Sequence, residues 1–184
     1  MKVLGIVCSP RKGGNTEILV NEALSSAKEL SVEVELINIT GKNIAPCDGC
    51  ESCTTTKRCR IEDDMQEIYS KLLEADGVIF GTPVYFWNIT AQAKALIDRT
   101  FALREGRKLR NKVAGVIVVA RRGGASQAFS AFRNFFNIQR MPSPGGAMAY
   151  ADKKGDVTQD SQGMAEARAL GRSVTRAIQR YKQS

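Results

Sequence analysis

Histidine is missing from all 184 residues, and its absence removes whole classes of chemistry. Without an imidazole there is no Ser-His-Asp or Cys-His nucleophile, no histidine-ligated zinc enzyme and no histidine proton relay. Reactivity must come from thiols, carboxylates or a bound group. Long apolar runs are missing too. Met1-Lys2 leads into the short run Val3 to Cys8, too brief for a signal h-region, and no stretch is long enough for a membrane span. A cytoplasmic protein without membrane association is expected. No linker-like stretch divides the chain, and 43% apolar content at this length suits one core. The expectation is a single domain over residues 1–184, with a loop insertion at about 42–62. The formal charge of +8 favours acidic partners.

Four of the five cysteines lie together, as Cys47, Cys50, Cys53 and Cys59. Three thiols at a pitch of three residues can wrap one face of a compact inorganic cluster, and a fourth from the following loop can close the opposite corner. Paired disulfides are too crowded here, because adjacent bridges would compete for the middle thiol and close strained loops. A four-iron cluster, a four-thiolate zinc site and unliganded thiols all satisfy the spacing. The cluster is the more specific reading, since structural zinc usually takes two Cys-x-x-Cys knuckles separated by a longer loop, whereas these overlap.

Strands and helices alternate along the chain. Lys2 to Cys8, Gly77 to Pro83 and Lys112 to Ala120 are apolar runs of the kind buried on both faces of a parallel sheet. Val32 to Ile39 alternates like a strand nearer the edge, and Ala147 to Tyr150 is a short fifth strand. Helical periodicity marks Ile18 to Ala27, Ile68 to Ala75, Ile89 to Leu103 after an Asn88 cap, Ser126 to Ile138, and Met164 to Lys182. Asp64 and Glu67 have capping-box spacing. Such alternation implies right-handed crossovers and an α/β doubly wound sheet, with five strands in the flavodoxin-like order 2-1-3-4-5.

That order places the ligand crevice beyond strands one and three. The loop after the first, Ser9-Pro10-Arg11-Lys12-Gly13-Gly14-Asn15-Thr16, opens a helix in the geometry that holds a phosphate. It matches neither the Walker pattern nor the dinucleotide fingerprint. Ser9, Arg11, Gly14, Asn15 and Thr16 are its candidate contacts. The loop after the third, Pro83-Val84-Tyr85-Phe86-Trp87, carries three consecutive aromatics, apt for a planar ligand or for packing against a helix or second subunit. Ala120, Arg121, Gly123 and Gly124 supply a third candidate contact after the fourth strand. The convergence of a phosphate loop and an aromatic loop at one switch point favours flavin mononucleotide, FMN.

These residues resemble the iron-sulfur flavoproteins, a branch of the NADPH-dependent FMN reductase group. Ser9-Pro10-Arg11 with Gly14-Asn15-Thr16 is similar to the group's phosphate loop. Gly81-Thr82-Pro83-Val84-Tyr85 with Lys94 and Ile97-Asp98-Arg99 is similar to its ring-binding loop and helix. The C-x2-C-x2-C-x5-C run is similar to the branch's cluster motif. The resemblance implies FMN, a [4Fe-4S] cluster, a homodimer or homotetramer, a ferredoxin as electron donor, and a small acceptor such as oxygen, peroxide or quinone. Cys8 and the Arg121-Arg122 pair depart from the group's pattern, and Cys8 reads as a buried, inert strand thiol.

Lys57, Arg58 and Arg60 beside the cysteines would favour a reduced cluster, and Arg168, Arg172, Arg176 and Arg180 form a basic stripe able to dock an acidic donor or to remain a solvated face. Two rival readings are a cluster-free NAD(P)H-dependent FMN or quinone reductase, and a zinc-knuckle module using its basic surface for nucleic acid. No recognisable nucleic-acid module supports the second.

Overall fold

Side chains on a pleated strand alternate between faces, so each central strand here feeds two cores. On β1 (Lys2–Val7) and just beyond it, Leu4, Ile6 and Cys8 enter one core, while Val3 and Val7 enter the other. The computed structural model describes residues 1–183. With β2 (Glu33–Asn38), β3 (Gly77–Pro83), β4 (Val113–Ala120) and β5 (Gly145–Tyr150), β1 forms one wholly parallel sheet in the order β2-β1-β3-β4-β5. The expected order is therefore the observed one.

Helices α1 (Asn15–Lys28) and α6 (Ser161–Gln183) cover one face. Helices α3 (Met65–Glu74), α4 (Ala91–Arg99) and α5 (Ala125–Gln139) cover the other, and the short α2 (Ser52–Thr56) lies within the cysteine segment. At the centre of the second face Phe80 meets Phe132, Phe135 and Phe136 with ring centroids 5.3, 5.8 and 5.8 Å apart. Burying one such side chain contributes roughly 1.5–3 kcal/mol. The free edge of β5 is closed by α6 and the turn before it: the Met148 amide donates to Glu166 at 3.0 Å and the Tyr150 amide to Asp160 at 2.8 Å. Carboxylates on an edge strand's outward amides remove a template for pairing with another chain.

Several boundaries differ from those read in the sequence. β5 begins at Gly145, because Gly145 and Gly146 still pair with Gly115 and Val116. The expected helix 89–103 is α-helical only as far as Arg99, continues as a 3-10 turn over Thr100–Leu103, and is capped by Thr90 rather than Asn88. Thr90 performs two tasks at once, accepting from the Ala93 amide at 3.1 Å and donating to the Cys8 carbonyl at 2.8 Å, which ties α4 to the end of β1. Asn88 instead accepts from the adjoining Ile89 amide. The Asp64–Glu67 capping box does not form: Asp64 accepts from the Asn43 amide, Glu67 pairs with Lys42, and Asp63 accepts from the first-turn Met65 amide. No helix among the described residues is long and apolar enough to cross a membrane.

Helices α1 and α6 cross at Gly171, where a Cβ would lie 2.0 Å from the Ala23 carbonyl oxygen. The obstructing atom is backbone, so the helices themselves would have to part. Gly171→Ala is expected to lower the unfolding free energy by about 1–3 kcal/mol, read from urea denaturation; an unchanged midpoint would refute this account of the crossing.

Candidate functional site

At the carboxyl ends of β1 and β3 the chain leaves the sheet in opposite directions, and the loops bound a cavity of about 210 Å³. Ser9, Arg11, Gly14, Asn15 and Thr16 line it from the β1 loop, Pro83, Val84 and Tyr85 from the β3 loop, and Arg121 from the β4 loop. A second cavity of about 460 Å³ adjoins it through the shared residues Val84 and Arg121, and is lined also by Phe86, Trp87, Arg122 and Gly123. Together they suit the roughly 300–1,000 Å³ usual for a small-molecule site.

The first cavity has the chemistry of an anion cradle. Helix α1 begins at Asn15, and the first amides of a helix lack intrahelical acceptors. Among the described residues, no protein group accepts from the amides of Asn15 and Thr16 or uses the Thr16 hydroxyl, although Thr16 is buried. Arg11, on the cavity wall, has no ion-pair partner among the described residues. The Asn15 side chain, by contrast, is occupied. It donates to the Lys153 carbonyl at 2.8 Å and accepts from the Gly155 amide at 2.8 Å, so it anchors the loop after β5, while its backbone N–H has no protein acceptor among the described residues. Ser9 accepts from the Arg11 amide at 3.1 Å, which shapes the loop and keeps the serine proton free.

The aromatic loop is a two-residue hairpin. The Tyr85 amide donates to Asn88 at 2.9 Å, the Asn88 amide returns the bond at 3.1 Å, and Phe86 and Trp87 both have positive φ, 44° and 63°. Such turns normally take Asn or Gly at these positions, so two aromatics here store conformational strain of about 1–3 kcal/mol each. Phe86 is fully exposed, and the Trp87 ring lies where a Cβ on Gly123 would come within 2.9 Å of it. Gly123 thus seats the indole. Gly124 faces the Trp87 backbone and lines neither cavity. Ala120 is fully buried and also lines neither; its carbonyl accepts from Ala151. Sequence reasoning missed Val119, Ala151 and Asp152 on the cavity wall. Asp152 pairs with Arg121 at 2.8 Å, which cancels much of the positive charge expected there. The signal available was positional: Ala151 and Asp152 follow β5 at the same end of the sheet.

The four clustered cysteines line a separate cavity of about 350 Å³, together with Asp48, Arg60, Asp98, Arg99 and Phe101. All are free thiols. Gly49, Glu51 and Lys57 adopt positive φ around α2, winding the segment tightly enough for all four cysteines to line one cavity. Burial raises the pKa of the Cys53 thiol, and the charges of Cys59, Cys47 and Cys50 raise it further, as for thiolates within electrostatic reach of one another. The Cys50 thiol is lowered, first by hydrogen bonding from Ser52 and then by Arg60. Among the described residues no three acidic or thiol side chains are gathered closely enough to hold one metal ion. Cys8 stands apart, fully buried in the sheet with its pKa pushed up to about 12 by burial.

The positive charge expected beside the cysteines needs correction, and the cavity itself lies apart from the crevice. The cysteine cavity shares no lining residue with the crevice at the strand ends. Instead it lies against the far end of α4, whose nine residues span about 13 Å at ~1.5 Å per residue. The basic collar is also largely neutralised: Lys57 pairs with Glu105 at 3.2 Å, Arg58 with Glu62 at 3.0 Å, and Arg60 with Asp48. On α6, Arg168 pairs with Glu22 and Arg172 with Glu29, so half of the expected basic stripe is likewise offset.

What holds the cavity's floor is an ion pair that periodicity could not show. Arg99 and Asp63 bury their side chains to 0% and 2% exposure and meet at 2.7 and 3.0 Å. Burial opposes the arginine cation, yet the Asp63 hydrogen bonds together with Tyr69 and Cys59 outweigh it and hold its pKa above the usual range. Burial likewise opposes the Asp63 carboxylate, and the Arg99 side chain with the Ala45 and Met65 amides keeps it below the usual carboxylate value.

A doubly wound parallel sheet with an anion cradle and an aromatic loop at its switch point defines the class as flavodoxin-like flavoproteins. The sequence profile of the NADPH-dependent FMN reductases matches residues 1–156. An iron-sulfur flavoprotein of Methanocaldococcus jannaschii is 41% identical over 192 aligned positions, covering 99% of this chain and 100% of that one. An iron-sulfur flavoprotein of Methanosarcina thermophila is 41% identical over 144, covering 77% and 75% respectively. Among solved structures, RosB with a bound intermediate superposes with a TM-score of 0.84 at 16% identity, covering 100% of this chain and 81% of that one. An archaeal flavodoxin gives 0.65 at 12% identity, covering 97% and 99%. The chain belongs to the NADPH-dependent FMN reductase family, among its iron-sulfur flavoproteins, and is an FMN-dependent oxidoreductase.

Because folding lowers the Asp63 pKa, the pair stabilises the protein fully above the unfolded value of about 3.9 and loses that contribution as pH falls through the lower folded value. Urea midpoints measured from about pH 5 to about pH 2 should therefore fall more steeply for the parent chain than for Asp63→Asn. Parallel pH profiles would contradict the assignment.

Proposed function

We propose that this oxidoreductase couples one-electron transfer from a ferredoxin-type donor, through a [4Fe-4S] cluster on Cys47, Cys50, Cys53 and Cys59, to FMN and on to a small acceptor such as oxygen, peroxide or quinone. The observation that carries the reading is the convergence of four free thiols on one cavity in a chain that separately builds a flavin-sized crevice. All four cysteines line this one cavity, and among the described residues no three of them gather closely enough for a single metal ion. A cluster takes one thiolate at each iron corner, and the overlapping Cys-x-x-Cys steps favour it over zinc, whose structural sites usually use two separated knuckles. FMN, when bound, supplies the ability to exchange electrons singly or in pairs.

The chain's own residues have defined tasks in this reading. The Asn15 and Thr16 amides, the Thr16 and Ser9 hydroxyls and the Arg11 guanidinium hold the phosphate. Val84 and Tyr85 line the passage toward the ring, and the Phe86-Trp87 hairpin screens it from water. The Phe86 ring, fully exposed, gives an apolar centre to the contact expected in a homodimer or homotetramer. No histidine being available, protons for the acceptor come from solvent or from tyrosine. Basic residues without an ion-pair partner among the described residues, Arg122 and Arg176 among them, favour an acidic donor over a neutral one.

Protein purified without oxygen is expected to contain both iron and FMN, and Cys50→Ala to lose iron while keeping FMN. Thr16→Val should weaken FMN binding by roughly 10- to 100-fold, the loss of a hydrogen bond to a charged group worth about 1.5–3 kcal/mol. FMN without iron in the parent chain, together with rapid bleaching by NADPH alone, would instead establish the cluster-free reductase that the family profile also accommodates.

A further inference from the structure

The cysteine segment buries little: Cys53 and Cys59 pack partly against the core, and its internal hydrogen bonds are exposed. Its one helix, α2, has five residues with none buried, and Cys47 and Cys50 are exposed. Four sulfurs so carried converge only if the two ends of the segment are brought together and kept there, since an open loop of this length samples many conformations. Both ends meet at one buried side chain. Arg99 Nη1 donates to the Ala45 carbonyl at 2.8 Å, two residues before the first cysteine, and Nη2 donates to the Ile61 carbonyl at 3.2 Å, two residues after the last. The same two nitrogens grip Asp63, whose carboxylate accepts from the Ala45 amide at 2.9 Å and from the Met65 amide at 3.0 Å. The Tyr69 hydroxyl donates to the Arg99 carbonyl at 2.7 Å and fixes the arginine's own backbone. One guanidinium and one carboxylate therefore close the neck of the loop over residues 46–60.

A second observation concerns the same side chain. Arg99 is one of the residues lining the cysteine cavity, and its fifth N–H, on Nε, is buried with no acceptor in the protein among the described residues. Buried guanidinium donors are rarely left unused, so an acceptor arriving with the bound group would complete the set. Sulfide or thiolate sulfur is the acceptor that a cluster brings.

Resting on the cluster reading above, we propose that Arg99 is the positioning residue of the cysteine site: with Asp63 it latches the neck of the loop so that four sulfurs face one cavity, and it keeps one donor in reserve for cluster sulfur. A lysine here would retain the charge but reach at most a fraction of the four acceptors, so the planar fork, and not the charge alone, is what the site uses.

The test compares the parent chain with Arg99→Lys, and with Asp63→Asn in case the lysine variant does not fold. Thiol alkylation by a maleimide is followed first on iron-free, FMN-loaded protein, with buried Cys8 as the internal unreactive thiol. The latch requires the half-buried thiols of Cys53 and Cys59 to react about tenfold faster or more in the variants, reflecting loop opening, with FMN content unchanged and the exposed Cys47 and Cys50 as the fast-reacting reference. It also requires iron uptake on reconstitution with iron and sulfide to fall, and, in Arg99→Lys, the midpoint potential of any cluster formed to move negative as a sulfur-directed hydrogen bond is lost. Alkylation within twofold of the parent, or an unchanged potential at full iron content, overturns the proposal. Loss of FMN together with the thiol protection would also overturn it, by showing a general structural role. Should the parent chain itself hold no iron when prepared without oxygen, the cluster reading fails, while the alkylation comparison still decides whether Arg99 latches the loop.

Discussion

The reversal of winding direction at β1 is the constraint from which the rest of the molecule follows. β1 pairs with β2 on one side and β3 on the other, so the chain must cross beneath the sheet between its second and third strands. The helices following β1 and β3 consequently pack on opposite faces, and the loops that lead into them separate at the top of the sheet. A gap opens there because the backbone cannot close it, and the first amides of α1 are left facing it without acceptors. Thr90 reinforces this arrangement, since its hydroxyl ties the start of α4 to the Cys8 carbonyl at the end of β1. The aromatic hairpin that precedes α4 is thereby held beside the phosphate loop.

Helix α4 then connects the two candidate centres. Its amino end carries the hairpin and its carboxyl end carries Arg99, so the flavin crevice and the cysteine cavity are separated along one rigid element. Asp63 lies just before α3, and its bond to Arg99 fastens the cysteine segment to this helix rather than to the strand ends from which the segment departs. The electrostatics of the cavity follow the same economy. Most surface cations near the cysteines have acidic partners, and the arginine held out of water is the one that touches both ends of the loop.

Strand identity and order were legible because buried parallel strands are apolar on both faces, and runs such as Val3 to Cys8 and Val113 to Ala120 show that directly. The crevice-lining set from Ser9 to Thr16 and from Pro83 to Tyr85 was legible for a topological reason, as ligand-facing loops follow strand ends at a known switch point. Helix starts were less so. Asn88, Thr90, Asp63 and Asp64 all qualify as caps by type, and the choice among them depends on which backbone amides come within reach after packing.

By itself the sequence determined the layered α/β architecture, the place of the crevice and the grouping of four thiols, since periodicity and spacing act over short stretches of chain. Only the tertiary structure decided that Asn15 spends its side chain on the β5 loop, that Gly123 seats an indole, and that the cysteine cavity rests against the far end of α4. Each of those outcomes depends on partners distant in sequence, Asn15 with residues 153–157 and Asp63 with Arg99. A buried charge or amide is satisfied by whichever group the fold brings to it, and no local pattern encodes that choice.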